Sequence, residues 1–232
     1  IKKEAAENDP SGKPWLDLTA YQIVNLTVGP PAPYYPTLVT PGGLNFNPKD
    51  IAVQGNYAYL AAGSYGLQIF DITDRDNPVW VSEVPTEGRA YYVDVEGGYA
   101  YVSDRDTGLY VIDIDPITSP IIVSLVEGVI GDLEVQGDYA YLVGGCLYVV
   151  DCSVPEESEH VGTYYLNAGY GASYGKLDVH GDYAYLTFMY WHPSDDAPYD
   201  VFEIFDISNP YAPTSVKRIV FYEYYTGTGG IV

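Results

Sequence analysis

Basic residues are scarce in this chain: ten Lys and Arg stand against 32 Asp and Glu in 232 residues, for a formal charge of −22. Such a surface repels nucleic-acid phosphates and anionic membranes, and makes cations or cationic surfaces its natural counterparts. The same acidity also serves solubility in a secreted or salt-exposed protein. No run of 18 apolar residues exists, so no helix spans a bilayer within these residues. No signal peptide is visible, and a chain starting at Ile1 is expected to be a processed protein or a fragment. Only two cysteines occur, Cys146 and Cys152. Six residues apart on one expected strand, they lie roughly 20 Å apart, whereas a disulfide needs Cα atoms within about 7 Å. They read as small buried hydrophobes rather than as a bridge. Long Lys/Glu/Ala-rich stretches at helical spacing are missing too, which removes the helical classes.

What is abundant is tyrosine, 26 residues in a chain that is 47% hydrophobic, a composition suited to pleated, half-buried surfaces. One phrase recurs four times: Ile51-Ala-Val-Gln-Gly-Asn-Tyr-Ala-Tyr-Leu60, Val93 to Val102, Leu133 to Leu142 and Leu177 to Leu186, at spacings of 42, 40 and 44 residues. A second phrase follows each copy: Leu67-Gln-Ile-Phe-Asp71, Leu109-Tyr-Val-Ile-Asp113, Leu147-Tyr-Val-Val-Asp151 and Phe202-Glu-Ile-Phe-Asp206. Strand-type repeats of about 40 to 50 residues are the signature of β-propeller blades. The expected fold is an all-β propeller with four blades over residues 50–221, within a repeat domain of residues 50–232.

Each repeat parses into four strands. The first ends in Gly55-Asn56, Gly97-Gly98, Gly137-Asp138 or Gly181-Asp182, two-residue turns whose glycine permits the positive φ of a primed hairpin. The second carries Tyr-Ala-Tyr, whose small Ala58, Ala100, Ala140 and Ala184 let sheets approach. The third ends in Asp71, Asp113, Asp151 or Asp206, seven residues before Pro78, Pro120, Ser158 or Pro213. An Asp recurring at a strand end reads as an acceptor for the backbone of the next turn rather than as a catalyst. The fourth strands are expected at Val79 to Val84, Ile121 to Val126, Val161 to Leu166 and Val216 to Phe221.

These phrases resemble the LVIVD-repeat proteins of bacterial and archaeal cell surfaces, whose name phrase stands here as Leu109-Tyr-Val-Ile-Asp113 and Leu147-Tyr-Val-Val-Asp151. The resemblance covers about residues 50–221. It implies a propeller exposed outside the cell, as a module of a larger surface protein. It implies no catalytic residues, because the motif belongs to the fold.

Residues 1–49 fall outside the repeats. A polar tail to residue 14 precedes a β-rich stretch, Trp15 to Val28, and residues 29–48 hold six of the seventeen prolines, an extended linker. The stretch is expected to supply a fifth partial blade or a closing strand. An unpaired edge exposes backbone donors and acceptors, so it either closes its own propeller or completes a neighbour by strand addition, and repeated exchange would build a fibre. Asn25-Leu-Thr27 is a possible glycosylation acceptor outside the cell.

Binding residues are expected where the regular pattern breaks. From Tyr-Ala-Tyr to the closing Asp takes 14, 14, 12 and then 23 residues, so an insertion lies within residues 188–200. It groups Tyr190, Trp191 and Tyr199 with His192, Asp195, Asp196 and Asp200, aromatic faces beside carboxylates that suit a sugar ring, or Ca²⁺ by carboxylates alone. The aromatics could equally cover the end of the sheet stack while the acids face water. The same face carries the crossings Arg89 to Tyr92 and Ala168 to Lys176, with Tyr92 a candidate binding residue, and Ser103-Asp-Arg-Asp-Thr107, where Arg105 between Asp104 and Asp106 weakens a cation site. On the inner strands Asp94, Glu134 and Asp178 share one repeat position, where they could hold a cation in a central channel or stand solvated.

Enzyme signals are weak. His160, His180 and His192 occupy different repeat positions, and no nucleophile, metalloprotease or phosphate-loop motif is present. The expected function is a non-catalytic scaffold or interaction module for surface proteins or glycans, with self-association as a further expectation and no cofactor beyond Ca²⁺. Paired acids on one face keep a glycan-active hydrolase or lyase as the alternative.

Overall fold

The computed structural model describes residues 47–166, 173–191 and 198–221. The chain divides into two compact units, Ile1–Val39 and Thr40–Val232, and every described residue belongs to the second. The β-rich stretch of residues 15–28, Asn25 and the Pro-rich linker to residue 46 lie outside the described residues.

Sixteen strands form four antiparallel sheets, each running in sequence order from inner to outer strand. The first sheet is β1 (Asp50–Gln54), β2 (Tyr57–Ala61), β3 (Leu67–Asp71) and β4 (Val79–Val84), and the second is β5 (Ala90–Glu96), β6 (Tyr99–Asp104), β7 (Gly108–Asp113) and β8 (Ile121–Glu127). The third is β9 (Asp132–Gln136), β10 (Tyr139–Val143), β11 (Cys146–Asp151) and β12 (Glu159–Tyr165), and the fourth is β13 (Ser173–His180), β14 (Tyr183–Trp191), β15 (Pro198–Asp206) and β16 (Thr214–Phe221). These are propeller blades, and Tyr57, Tyr99, Tyr139 and Tyr183 open the equivalent second strands.

Local chemistry accounts for the repetition. Gly55, Gly97, Gly137 and Gly181 have φ of 59°, 62°, 62° and 58° at the first turn position, as a Gly-X hairpin requires. Asp71, Asp113, Asp151 and Asp206 each accept the N–H two residues on, from Thr73, Asp115, Ser153 and Ser208. They are turn residues. One repeated device was not expected: in every sheet the third-to-fourth strand ladder slips at the same place, leaving Val81, Val123, Val161 and Val216 without an opposite residue. A bulge there bends the outer strand and increases its twist.

The sheets pack face to face through three apolar layers. Tyr59, Ile69, Ala100 and Ile112 join the first and second; Tyr101, Val111, Leu133 and Leu142 join the second and third; Tyr141, Val149, Leu186 and Phe205 join the third and fourth. Ala100, Ala140 and Ala184 are completely buried in these layers. Cys146 and Cys152, at either end of β11, are buried free thiols. Along the centre β1 packs on β5, β5 on β9 and β9 on β13, with no comparable packing of β13 on β1 among the described residues. No helix of the described residues is long and apolar enough to cross a membrane.

Candidate functional site

Residues from the inner strands reach across to fix the next sheet. Asp50 accepts the Val93 N–H (3.0 Å), Asp94 accepts the Val135 N–H (2.7 Å), and Asp132 accepts the Leu177 N–H (2.8 Å). At the strand ends, Gln136 clasps Gly181 in both directions, accepting its N–H at 2.8 Å and donating to its carbonyl at 2.9 Å. Glu96 accepts the Gly137 N–H, and Gln54, with its amide oriented to satisfy both groups, clasps Gly97. Asp94 is therefore an inter-sheet staple that also accepts the Val95 N–H. Glu134 is pushed up to about 7 by burial, reinforced by the charges of Asp94, Asp178 and Asp132, while Asp178 is exposed. Among the described residues no three His, Cys, Asp or Glu gather closely enough to hold a metal ion.

The face formed by the β2–β3 and β4–β5 type connections is more irregular. Asp104 is fully buried and accepts the N–H groups of Gly88 (3.2 Å) and Asp106 (2.9 Å), tying the turn after β6 to the crossing before β5. A Cβ on Gly88 would lie 2.3 Å from the Asp104 carboxylate, so the crossing needs glycine at that point. Asp106 receives a two-pronged bond from Arg89, Nε to Oδ2 at 2.8 Å and Nη2 to Oδ1 at 2.7 Å. That pairing holds its carboxyl below the usual range. The basic partner of Asp106 is thus Arg89 of the crossing, and Arg105 turns elsewhere.

Arg105 lies over Tyr91, 5.4 Å from the ring centroid, and donates to its hydroxyl at 3.4 Å. Lys49 stands 5.5 Å from the same ring. Tyr92 packs beside Tyr91 at 6.3 Å, and Lys176 lies 5.2 Å over Tyr92 while donating to Asp132 at 2.8 Å. The bond from Arg105, with the charges of Arg105, Lys49 and Arg89, holds the Tyr91 phenol below its usual range. Three cations of a strongly acidic chain, Arg105, Lys49 and Lys176, therefore converge on two adjacent tyrosines. Beside them a groove of about 190 Å³ is lined by Tyr91, Tyr92, Arg105 and Ile130, with Ser103, Gly131, Gly144 and Gly145 completing it. Gly131 is held by the Ser103 hydroxyl at 3.1 Å, and a Cβ there would meet the Val143 carbonyl at 2.2 Å.

The insertion in the fourth repeat is largely a longer hairpin rather than a loop. β14 and β15 are nine residues each where most of their counterparts have five or six, with Tyr190 opposite Tyr199 and Trp191 opposite Pro198. Asp200 lines a separate hollow with Lys176, Met189 and Phe221. His192, Asp195 and Asp196 lie outside the described residues. Of the expected binding residues the structure brings Tyr92 into the groove and gives Asp104 and Asp106 protein partners. Sequence reasoning missed Lys49, and it placed the crossings that hold Arg89, Tyr91 and Lys176 on this face without naming those three as binding residues. A signal existed: the residue before each phrase is Asp50, Tyr92, Asp132 or Lys176, four positions that share a place and not a chemistry.

No curated protein sequence matches the chain. Among solved structures it is similar to the N-terminal domain of Nup159 (9% identity, 73% of this chain, 47% of that one, TM-score 0.47). It is also similar to the computationally designed Ika8 protein (11%, 76% and 62%, TM-score 0.47) and to apo AztD from Citrobacter koseri (15%, 75% and 48%, TM-score 0.46). The chain thus spans less than two thirds of each of these structures. The LVIVD repeat family matches residues 47–86, 87–128 and 127–164, the first three blades, while the fourth blade continues the same pattern beyond the match. On these matches and the four sheets, the chain belongs to the LVIVD-repeat family.

Proposed function

We propose that the protein is a non-catalytic binding module displayed outside the cell, and that the groove beside Tyr91 and Tyr92 takes an acidic glycan. The observation that carries this reading is the gathering of Arg105, Lys49 and Lys176 around the two rings. Aromatic faces stack on sugar rings, and a guanidinium pairs with a uronate carboxylate. At physiological salt, interactions between exposed charges fade beyond about 8 Å, so acids elsewhere on the chain are screened, while Asp106 and Asp132 beside the rings are already paired with Arg89 and Lys176. Catalysis finds less support on this face, because Asp104 and Asp106 already hold backbone N–H groups and Arg89. The test is a glycan array followed by calorimetry with uronate and neutral oligosaccharides. Uronate binding that falls about tenfold or more in Arg105→Ala and Tyr91→Ala supports the reading. Equal affinity for neutral sugars, or hydrolysis of either probe, refutes it.

A further inference from the structure

The two end faces of the sheet row carry the two halves of a junction that the chain builds three times within itself. On the leading side of each sheet two inner-strand residues meet the sheet before: Leu133 and Val135 are 7% and 9% exposed, and Leu177 and Val179 are 9% and 8%. Their counterparts in the first sheet, Ile51 and Val53, are 58% and 60% exposed. On the trailing side Tyr101 and Val111, like Tyr141 and Val149, are buried against the sheet that follows. Their counterparts in the fourth sheet, Tyr185 and Ile204, are only half-buried, and Met189, Ile219 and Phe221 on the same face are exposed.

The polar devices are also left half made. Asp94 accepts the Val135 N–H across a junction, but its counterpart Asp178 stands exposed at the end of the row. Gln136 clasps Gly181, and the corresponding His180 has Gly55 as its matching turn only on the first sheet. The Val53 N–H that Asp178 would serve points away from β2, because Val53 and Ala58 form a non-hydrogen-bonded pair next to the hairpin turn.

The geometry points to head-to-tail docking of a second copy of this chain, the fourth sheet of one copy against the first sheet of the other. Two such junctions join two rows of the four described blades into one ring of eight, within the range of propellers. The occupant is a second copy because the face continues an interface already established in the chain: the apolar positions match those at the three internal junctions, a strand-end residue stands opposite Gly55 as it does opposite Gly97, Gly137 and Gly181, and Asp178 stands opposite Val53 as Asp94 does opposite Val135. This surface is separate from the glycan groove, and it stands or falls without it. Each copy carries a formal charge of −22, so raising the salt screens their repulsion and tightens the association.

Sedimentation velocity on the wild-type chain at tens of micromolar is expected to give the mass of two chains, with a larger dimer fraction in 0.5 M than in 0.05 M NaCl. Val53→Lys on the leading face and Ile219→Lys on the trailing face each replace an exposed residue and are expected to give folded monomers by circular dichroism. Mixing the two restores one intact junction, so a dimer forms that contains one of each variant, as fluorescent labelling would show. A monomeric wild type overturns the proposal, and so does a dimer that survives both substitutions or a mixture that stays monomeric. A monomeric wild type whose melting temperature falls in Val53→Lys places another segment of the same chain on that face, and equally overturns it.

Discussion

Strands β1 and β9 carry nearly the same phrase, yet Leu133 and Val135 are core residues while Ile51 and Val53 face solvent. Nothing within the two strands explains the difference, since both form the same hairpin with a Tyr-Ala-Tyr partner. Burial here depends on having a blade on the leading side. Stability in such a row is close to a sum of blade terms and nearest-neighbour junction terms, as in other repeat proteins. Among the described residues the end blades each lack one junction term, which makes them the weakest of these units and the most available for contact.

The strongest way to break this comparison is one substitution at both places. Val135→Lys puts an ammonium into the layer between the second and third sheets and is expected to destabilise the chain by about 3 kcal/mol or more. Val53→Lys is expected to change the stability of the monomer by no more than about 0.5 kcal/mol. Denaturant titration of both variants at high dilution checks this, and similar losses at the two sites would refute junction-dependent burial. A smaller effect is expected from Asp132→Ala, which leaves the buried Leu177 N–H without its acceptor and Lys176 without its partner. The loss is about 1 to 3 kcal/mol. Asp178→Ala, at the end-of-row counterpart of Asp94, removes an exposed side chain and is expected to change monomer stability by no more than about 0.5 kcal/mol.

Glu134 sharpens the same contrast through pH. Burial and the charges of Asp94, Asp178 and Asp132 raise its carboxyl from 4.5 to about 7. Between those values the folded chain binds more protons than the unfolded one, so this group makes stability fall as pH rises from about 4.5 to 7 and level off above that. Asp71, Asp151 and Asp206 are lowered by bonds from Thr73, Ser153 and Ser208, so they contribute stability above the ordinary carboxyl range that is lost as pH falls through it. Melting temperatures across pH 4 to 8 are expected to decline in the wild type and to decline less in Glu134→Gln. An unchanged slope would remove Glu134 as the cause.

Blades were legible from sequence because each strand boundary carries its own chemistry: Gly-X turns, the closing Asp and period-two alternation. The four bulges were not, although a valine stands at each, because a residue without an opposite partner leaves no mark until the register on both strands is known. The groove was half legible. Tyr92 stood out as a residue of an irregular crossing, but the pairing of Asp106 with Arg89, seventeen residues away, depends on how the crossing before β5 lies against the turn after β6, and that of Lys176 with Asp132, forty-four away, on how neighbouring sheets are staggered. Attention to inserted length led to the fourth repeat, where the extra residues mostly extend a hairpin, while the cations gathered where length was ordinary.

The smallest expected effect concerns the clasps at the strand ends. Gln136 holds the Gly181 turn by two hydrogen bonds, both near the surface, so water replaces much of what Gln136→Ala removes. A loss of about 1 kcal/mol follows. His180 occupies the same place at the end of the row, and among the described residues the next turn it would hold is absent. His180→Ala is therefore expected to be silent in the monomer and to weaken association only where a second copy supplies Gly55. Measuring both variants by denaturant titration and by sedimentation separates the two roles: a clasp within the chain changes the first, and a clasp between chains changes the second. If His180→Ala lowers monomer stability as much as Gln136→Ala does, the end of the row already has a partner from its own chain, and the difference between end and interior blades lies in sequence rather than in neighbours.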